Sequence, residues 1–170
     1  MLSRAQGKKT PTRIVCHNDG QTFQTYDNHS KPTLWQGDTE EAKGKCLLVP
    51  NASIMKAGVF GELSREYGIG MLDRDSHLFI SEQDMPGFPG RRFKIDRACT
   101  MNKKDLRKAV EGISQANVAT RNFPVSADAL RKRLRLKDGG DTYIFATTVG
   151  KRHLVLVCHA MLTQCHTDKN

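Results

Sequence analysis

The sequence predicts a fold of the α/β (α+β) class with a mixed sheet, and three observations carry that reading. From Cys46 onward, strand and helix patterns intermix in the order strand, helix, strand, strand, helix, strand, helix, strand, strand. The last two strands are joined by the short turn Gly150-Lys151-Arg152, which makes them an antiparallel hairpin. The run Leu154–Cys158 is continuously apolar, as in a strand buried on both faces. The chain has 170 residues, 38% of them apolar, and a mean hydropathy of −0.54. That is enough for one ordinary domain or two small ones around a modest core.

The elements follow in order. Residues 1–11 read as a frayed start. Thr12–Cys16 and Gln21–Tyr26 are strand candidates that pair across His17–Gly20, and such a pair is marginal in water without a partner surface. Residues 27–45 are polar and turn-rich, with no packing expected apart from Trp35. Cys46–Val49 is a strand ending at Pro50. Asn51 then caps a helix from about Ala52 to Tyr67, in which Met55, Val59, Phe60, Leu63 and Tyr67 keep helical spacing and Gly68 is the stop. Gly58 and Gly61 inside it cost roughly 1 kcal/mol each and would let the helix lie close to a sheet.

His77–Ile80 is the next strand, and Asp84–Gly90 breaks regular structure before a strand over Arg91–Cys99. Asn102 caps a helix with Asp105 in a capping-box position, and Leu106, Ala109, Val110 and Ile113 form its apolar stripe. Arg107 is spaced to pair with Glu111. Ala116–Phe123 is a strand. Ser126 caps a second basic helix, on which Ala127, Leu130 and Leu134 share a face. On a helical projection Arg131 and Arg135 share one outward flank, Arg133 lies on the other, and Lys132 pairs with Asp128. Asp138–Asp141 stops that helix, and Thr142–Val149 is a strand. Residues 161–170 read as a tail.

The charge is concentrated. Residues 91–137 hold 14 Lys and Arg against 4 Asp and Glu, a net of +10, which leaves −1 for the rest of a chain whose total is +9. A localised excess of this kind fits a polyanionic partner, although a solvated basic face shows the same pattern. Lys and Arg on helices neutralise phosphates and release counterions. Arg also stacks on unpaired bases. The seven candidate contacts are Arg131, Arg133 and Arg135, helped by Arg121, Lys137, Lys103 and Lys104.

Other chemistry is excluded by pattern. No apolar window approaches 18 residues, and the N-terminus lacks an apolar signal core, so no membrane segment is expected and the location is cytoplasmic. Five widely spaced cysteines, odd in number and without a CxxC, fit reduced thiols better than a disulfide framework. Cys158-His159 and Cys165-His166 are a weak metal pattern beside a simple strand end and tail. The lone Gly68-Ile69-Gly70 follows a helix, whereas a nucleotide or S-adenosylmethionine loop runs strand, glycines, helix. No nucleophile elbow, phosphate loop, metalloprotease motif or Asn-Pro-Pro-aromatic loop occurs, so no catalytic residue is expected in this chain.

Longer runs carry a family resemblance. They are PNASIMKAG (Pro50–Gly58), SHLF (Ser76–Phe79), FPGRRFKI (Phe88–Ile95), NVATRNFPVSADALRKRLRLKDGGDTYIFATT (Asn117–Thr148) and the closing LVLVC. With them, residues 46–160 resemble the C-terminal half of a bacterial class I S-adenosylmethionine-dependent methyltransferase family with a THUMP-like domain. The resemblance implies a ferredoxin-like unit at 46–98 and a THUMP-like unit at 99–160. It also implies a remnant of a Rossmann-like methyltransferase domain at 1–45, partly disordered. THUMP domains of this kind present RNA, typically tRNA, to a catalytic domain.

The expected function is therefore that of the RNA-binding module, with tRNA as its RNA, of an S-adenosylmethionine-dependent methyltransferase whose catalytic domain is lacking in this chain. No cofactor is expected in this chain, although the full-length family uses S-adenosylmethionine. A separate methyltransferase catalytic domain is a further expected partner. Two alternatives stay open: a subunit of a two-chain RNA methyltransferase, and a protein-interaction domain whose basic helix meets an acidic partner.

Overall fold

A computed structural model describes residues 10–162. The frayed start therefore lies almost wholly outside the described residues, as does most of the expected tail. Two strands, β1 (Arg13–Asn18) and β2 (Gln21–Tyr26), form an antiparallel pair with Cys16 opposite Phe23, as the alternation predicts. These two residues turn inward and are buried.

The remaining strands are β3 (Cys46–Pro50), β4 (Gly70–Met71), β5 (Phe79–Ser81), β6 (Gly90–Cys99), β7 (Asn117–Arg121), β8 (Thr142–Val149) and β9 (Arg152–Ala160). They form one seven-stranded sheet in the order β4-β5-β3-β6-β9-β8-β7. Only β7 and β8 run parallel, so the sheet is mixed, as expected from the sequence. The stretch 84–90 separates β5 from β6 along the chain, yet β6 is hydrogen-bonded to β3 on one side and β9 on the other. The sheet is thus continuous across it.

Alternation along the strands sorts the core onto the two faces. Leu47, Ile80, Phe93, Phe145, Leu156 and Cys158 share one face. On the other, Leu48 and Phe79 pack under α2 (Ala52–Ala57) and α3 (Phe60–Tyr67), joined by Cys16 and Phe23 of the hairpin. Further along that face, Ile144, Ala146, Val155 and Val157 pack under α4 (Lys103–Ala109) and α5 (Ala127–Arg133). All five residues of the Leu154–Cys158 run are buried, because β9 lies between two strands with packed layers on both faces.

Four details depart from the sequence reading. First, the single helix expected over 52–67 is two helices. Gly58 adopts φ 68° and its N–H bonds to the Ile54 carbonyl, so it ends α2 as a left-handed cap where any side chain would be strained. Asn51 occupies the cap position, but its side-chain amide donates to Gln21 Oε1 at 2.7 Å and makes no cap hydrogen bond.

Second, residues 27–45 pack closely. The Glu62 carboxylate accepts from the backbone N–H groups of Asn28 (3.3 Å) and Ser30 (3.1 Å), and Ser64 Oγ accepts from Thr33 N–H (3.1 Å). Trp35 and Thr33 bond to both sides of Met71, each at 2.8 Å. A short helix, α1 (Thr39–Ala42), follows, capped by Asp38 and burying Ala42 completely. Gly61 is what allows this approach: a Cβ there would lie 1.9 Å from the Ser30 carbonyl oxygen. The close contact predicted for Gly61 is therefore with this segment, not with a sheet. These partners sit some thirty positions away, beyond the reach of periodicity.

Third, the strand expected over 77–80 is shifted to Phe79–Ser81, because His77 takes φ 53° and stacks on the Phe60 ring at 4.6 Å. Fourth, β6 carries a bulge at Asp96, between the pairs Ile95–Cys158 and Arg97–Val157. The freed carboxylate meets His159 Nδ1 at 2.8 Å.

Candidate nucleic-acid interface

Helix α4 starts where Asn102 accepts from Lys104 N–H at 2.9 Å. The expected capping box does not close. Asp105 instead accepts from the Thr100 hydroxyl (3.3 Å), and that hydroxyl accepts from Asn102 N–H (3.4 Å). The far end of α4 is held by Arg97, whose guanidinium donates to the carbonyls of Ala109 (3.0 Å) and Glu111 (2.9 Å). Arg107 forms no ion pair with Glu111 among the described residues; it points into a groove described below.

Helix α5 starts at Ser126, which accepts from Ala129 N–H at 3.2 Å, as its sequence predicts. Its end is different. The Arg135 N–H bonds to the Lys132 carbonyl (3.0 Å) and the Leu136 N–H to the Arg131 carbonyl (3.1 Å), the pattern of a Schellman turn. Leu136 tucks into the core beside Leu130. Arg135 takes the left-handed position at φ 57°, where glycine is the usual residue.

This turn overturns the helical projection. Arg135 is off the helix and lies beside Arg133, not Arg131. Arg131 serves the fold: it donates to the Asp128 carboxylate (2.9 Å) and to the Leu136 carbonyl (3.4 Å). Asp128 thus pairs with Arg131, not with Lys132. The hydrogen bond and charge of Arg131 lower the Asp128 carboxyl below its ordinary value. A carboxyl depressed by folding stabilises above its unfolded pKa and loses that contribution as pH falls through the folded value. Arg131→Ala is therefore expected to lower the urea midpoint at neutral pH. The gap to the parent should shrink below pH about 4.

The groove lies between α4 and the end of α5. It is lined by Lys103, Leu106, Arg107 and Val110 from one side and Arg133, Leu134 and Arg135 from the other, and encloses about 540 Å³. Leu106 is buried, and Val110 and Leu134 are half-buried, so the floor is aliphatic. Four cations rim it, and no acidic residue lines it among the described residues. Unpaired like charges held around a concavity raise the local potential and attract anions.

Of the seven candidate contacts, Lys103, Arg133 and Arg135 meet in this groove. Lys104 and Lys137 are exposed without an acidic partner among the described ion pairs. Arg121 is exposed at the end of β7 and does not line the groove. Arg107 also lines the groove, although the sequence reading did not include it among the candidates. Its spacing of four from Lys103 on one helix face was the available signal. Several cations of the basic stretch are spent elsewhere. Arg92 is buried against Asp84 and donates to the Leu162 carbonyl at 3.1 Å, and Arg91 lies over the Phe93 and Tyr143 rings, 4.9 Å from each centroid.

A second cleft on the other side of α4 mixes Lys43, Arg97 and Lys108 with Glu40, Asp105 and Glu111, so it presents no single sign of charge. Cys99 lies at it, and burial, reinforced by Asp105, pushes its thiol up to about 11. Burial likewise raises Cys16, Cys46 and Cys158, so none of the four is a ready thiolate. All four are free. Cys158 and His159 point to opposite faces of β9, one buried and one exposed, while Cys165 and His166 lie outside the described residues. No cluster of potential metal ligands occurs among the described residues. Gly68-Ile69-Gly70 does not fit S-adenosylmethionine: Gly68 caps the end of α3, the Ile69 N–H is used by the Ser64 carbonyl, and Ile69 is buried. No helix among the described residues is long and apolar enough to cross a membrane.

The fold and groove define a class. A family model described as a ferredoxin-like domain matches residues 47–89, and one described as THUMP domain-like matches residues 90–160. Residues 47–160 thus comprise a ferredoxin-like domain followed by a THUMP-like domain. Uncharacterized S-adenosylmethionine-dependent methyltransferases of Mycobacterium tuberculosis, from strains CDC 1551 and H37Rv, are each 23% identical to it over 109 residues, covering 63% of this chain. The chain spans 30% of the length of these curated relatives. A crystal structure of a candidate methyltransferase from Porphyromonas gingivalis W83 shares the fold with a TM-score of 0.76 at 24% identity, over 88% of this chain and 38% of that one.

Proposed function

We propose that this chain is the RNA-binding part of an S-adenosylmethionine-dependent RNA methyltransferase acting in the cytoplasm, with tRNA as its substrate class. The observation that carries the reading is the groove: four cations and, among the described residues, no acid around a concavity in a THUMP-like domain. Lys103, Arg107, Arg133 and Arg135 contact phosphate there, and Lys104, Lys137 and Arg121 extend the basic surface on either side. Methyl transfer belongs to a separate catalytic domain, and the β1–β2 pair is the edge that adjoins it. The methyltransferase relatives support this division, since the chain spans 30% of their length.

Titration of labelled tRNA tests it. Four phosphate contacts are expected to weaken binding roughly a hundredfold between roughly 50 and 200 mM salt. Absence of binding, or binding that ignores salt, overturns the proposal.

A further inference from the structure

We infer that the groove between α4 and the end of α5 is a subsite for an unpaired nucleotide, so that the RNA it takes is single-stranded at this point. The inference rests on the RNA-binding reading and deepens it. A surface that reads only the phosphates of a duplex needs cations on an open face. This groove adds a floor of Leu106, Val110 and Leu134 beneath its cations. An aliphatic floor gains nothing from phosphate and gains from an apolar partner, such as the face of a base or the carbon side of a ribose.

The arrangement of the rim fits the same ligand. Lys103 and Arg107 stand one turn apart beside Leu106, and Arg133 and Arg135 precede and follow Leu134 in the chain. The Schellman turn puts Arg135 on this rim, and the left-handed backbone it requires is one that arginine adopts only at a cost. Guanidinium planes can lie on an unstacked base while their N–H groups meet the flanking phosphates. Among the described residues, no Ser, Thr, Asn, Gln or aromatic side chain lines the groove. The polar groups lining it are all cationic donors, which meet phosphates and base acceptors alike, so the subsite is expected to discriminate weakly between bases.

The full chain is titrated by fluorescence anisotropy with three probes carrying equal numbers of phosphates. These are a mixed-sequence single-stranded RNA, its abasic counterpart and a blunt RNA duplex. The single strand is expected to bind about tenfold tighter than either of the others. Val110→Ser should remove most of that preference while leaving the salt dependence. Arg133→Ala should weaken all three probes. Equal binding of all three removes the subsite and leaves the RNA reading standing. Absence of binding by every probe removes both. Displacement of the single strand by poly-glutamate at equal charge overturns the inference in favour of an acidic protein partner.

Discussion

Replacing Phe93 with alanine is expected to destabilise the chain by about 3–5 kcal/mol. Phe93 is fully buried near the middle of the sheet, opposite Leu47 of β3 and Ala160 of β9. Its ring meets Phe145 at 4.9 Å and Tyr143 at 5.0 Å, and Arg91 lies over it. The substitution leaves a cavity that rigid strands on both sides cannot close, and it strips one partner from an aromatic cluster. Because β6 is bonded to β3 and β9 alike, the loss should be felt on both sides of it. Thermal unfolding followed by circular dichroism and by the fluorescence of Trp35, the single tryptophan, should show one transition lowered by roughly 10 °C. Separate transitions by the two probes would show that the sheet does not unfold as a unit.

The second large effect concerns binding. The double variant Arg133→Ala/Arg135→Gly is expected to lower RNA affinity at least tenfold, or about 1.4 kcal/mol, and to reduce the salt slope by about 2. Arg135→Gly alone should stabilise the fold by about 1 kcal/mol, because glycine takes φ near 57° without strain. A substitution that stabilises the protein while weakening its binding separates function from folding. Arg131→Ala is the complementary control: it should weaken the fold but lower affinity less than Arg133→Ala, because its guanidinium is held by Asp128 and Leu136. Equal or tighter RNA binding by the double variant would remove the groove from the interface.

Much of the fold was legible locally. The strand limits at Thr142–Val149, the caps at Ser126 and Asn102, and the stop at Gly68 rest on contacts within a few residues, and the structure reproduces each of them. The doubly buried run at Leu154–Cys158 was legible because a strand covered on both faces has no polar alternation to keep. Misreadings arose where two local rules competed. Gly58 was read as a tolerated helix glycine, but its neighbours favour a left-handed cap, and one helix became two. The helical wheel extrapolated α5 past Leu134, whereas the Schellman turn closes on buried Leu136, a preference set by the core beneath it.

By itself, the sequence determined the class of fold, the order of its main elements and the concentration of positive charge in residues 91–137. Those properties follow from periodicity, capping and composition, which act over one or two turns of chain. Only the tertiary structure decided which cations face one another. It withdrew Arg92, Arg97 and Arg131 into ion pairs and carbonyl contacts, and it brought Lys103 and Arg107 across from Arg133 and Arg135. It also drew Asn28, Ser30 and Thr33 onto Glu62 and Ser64. Both depend on groups about thirty positions apart, whose pairing is settled by packing over the sheet and leaves no periodic trace in the chain.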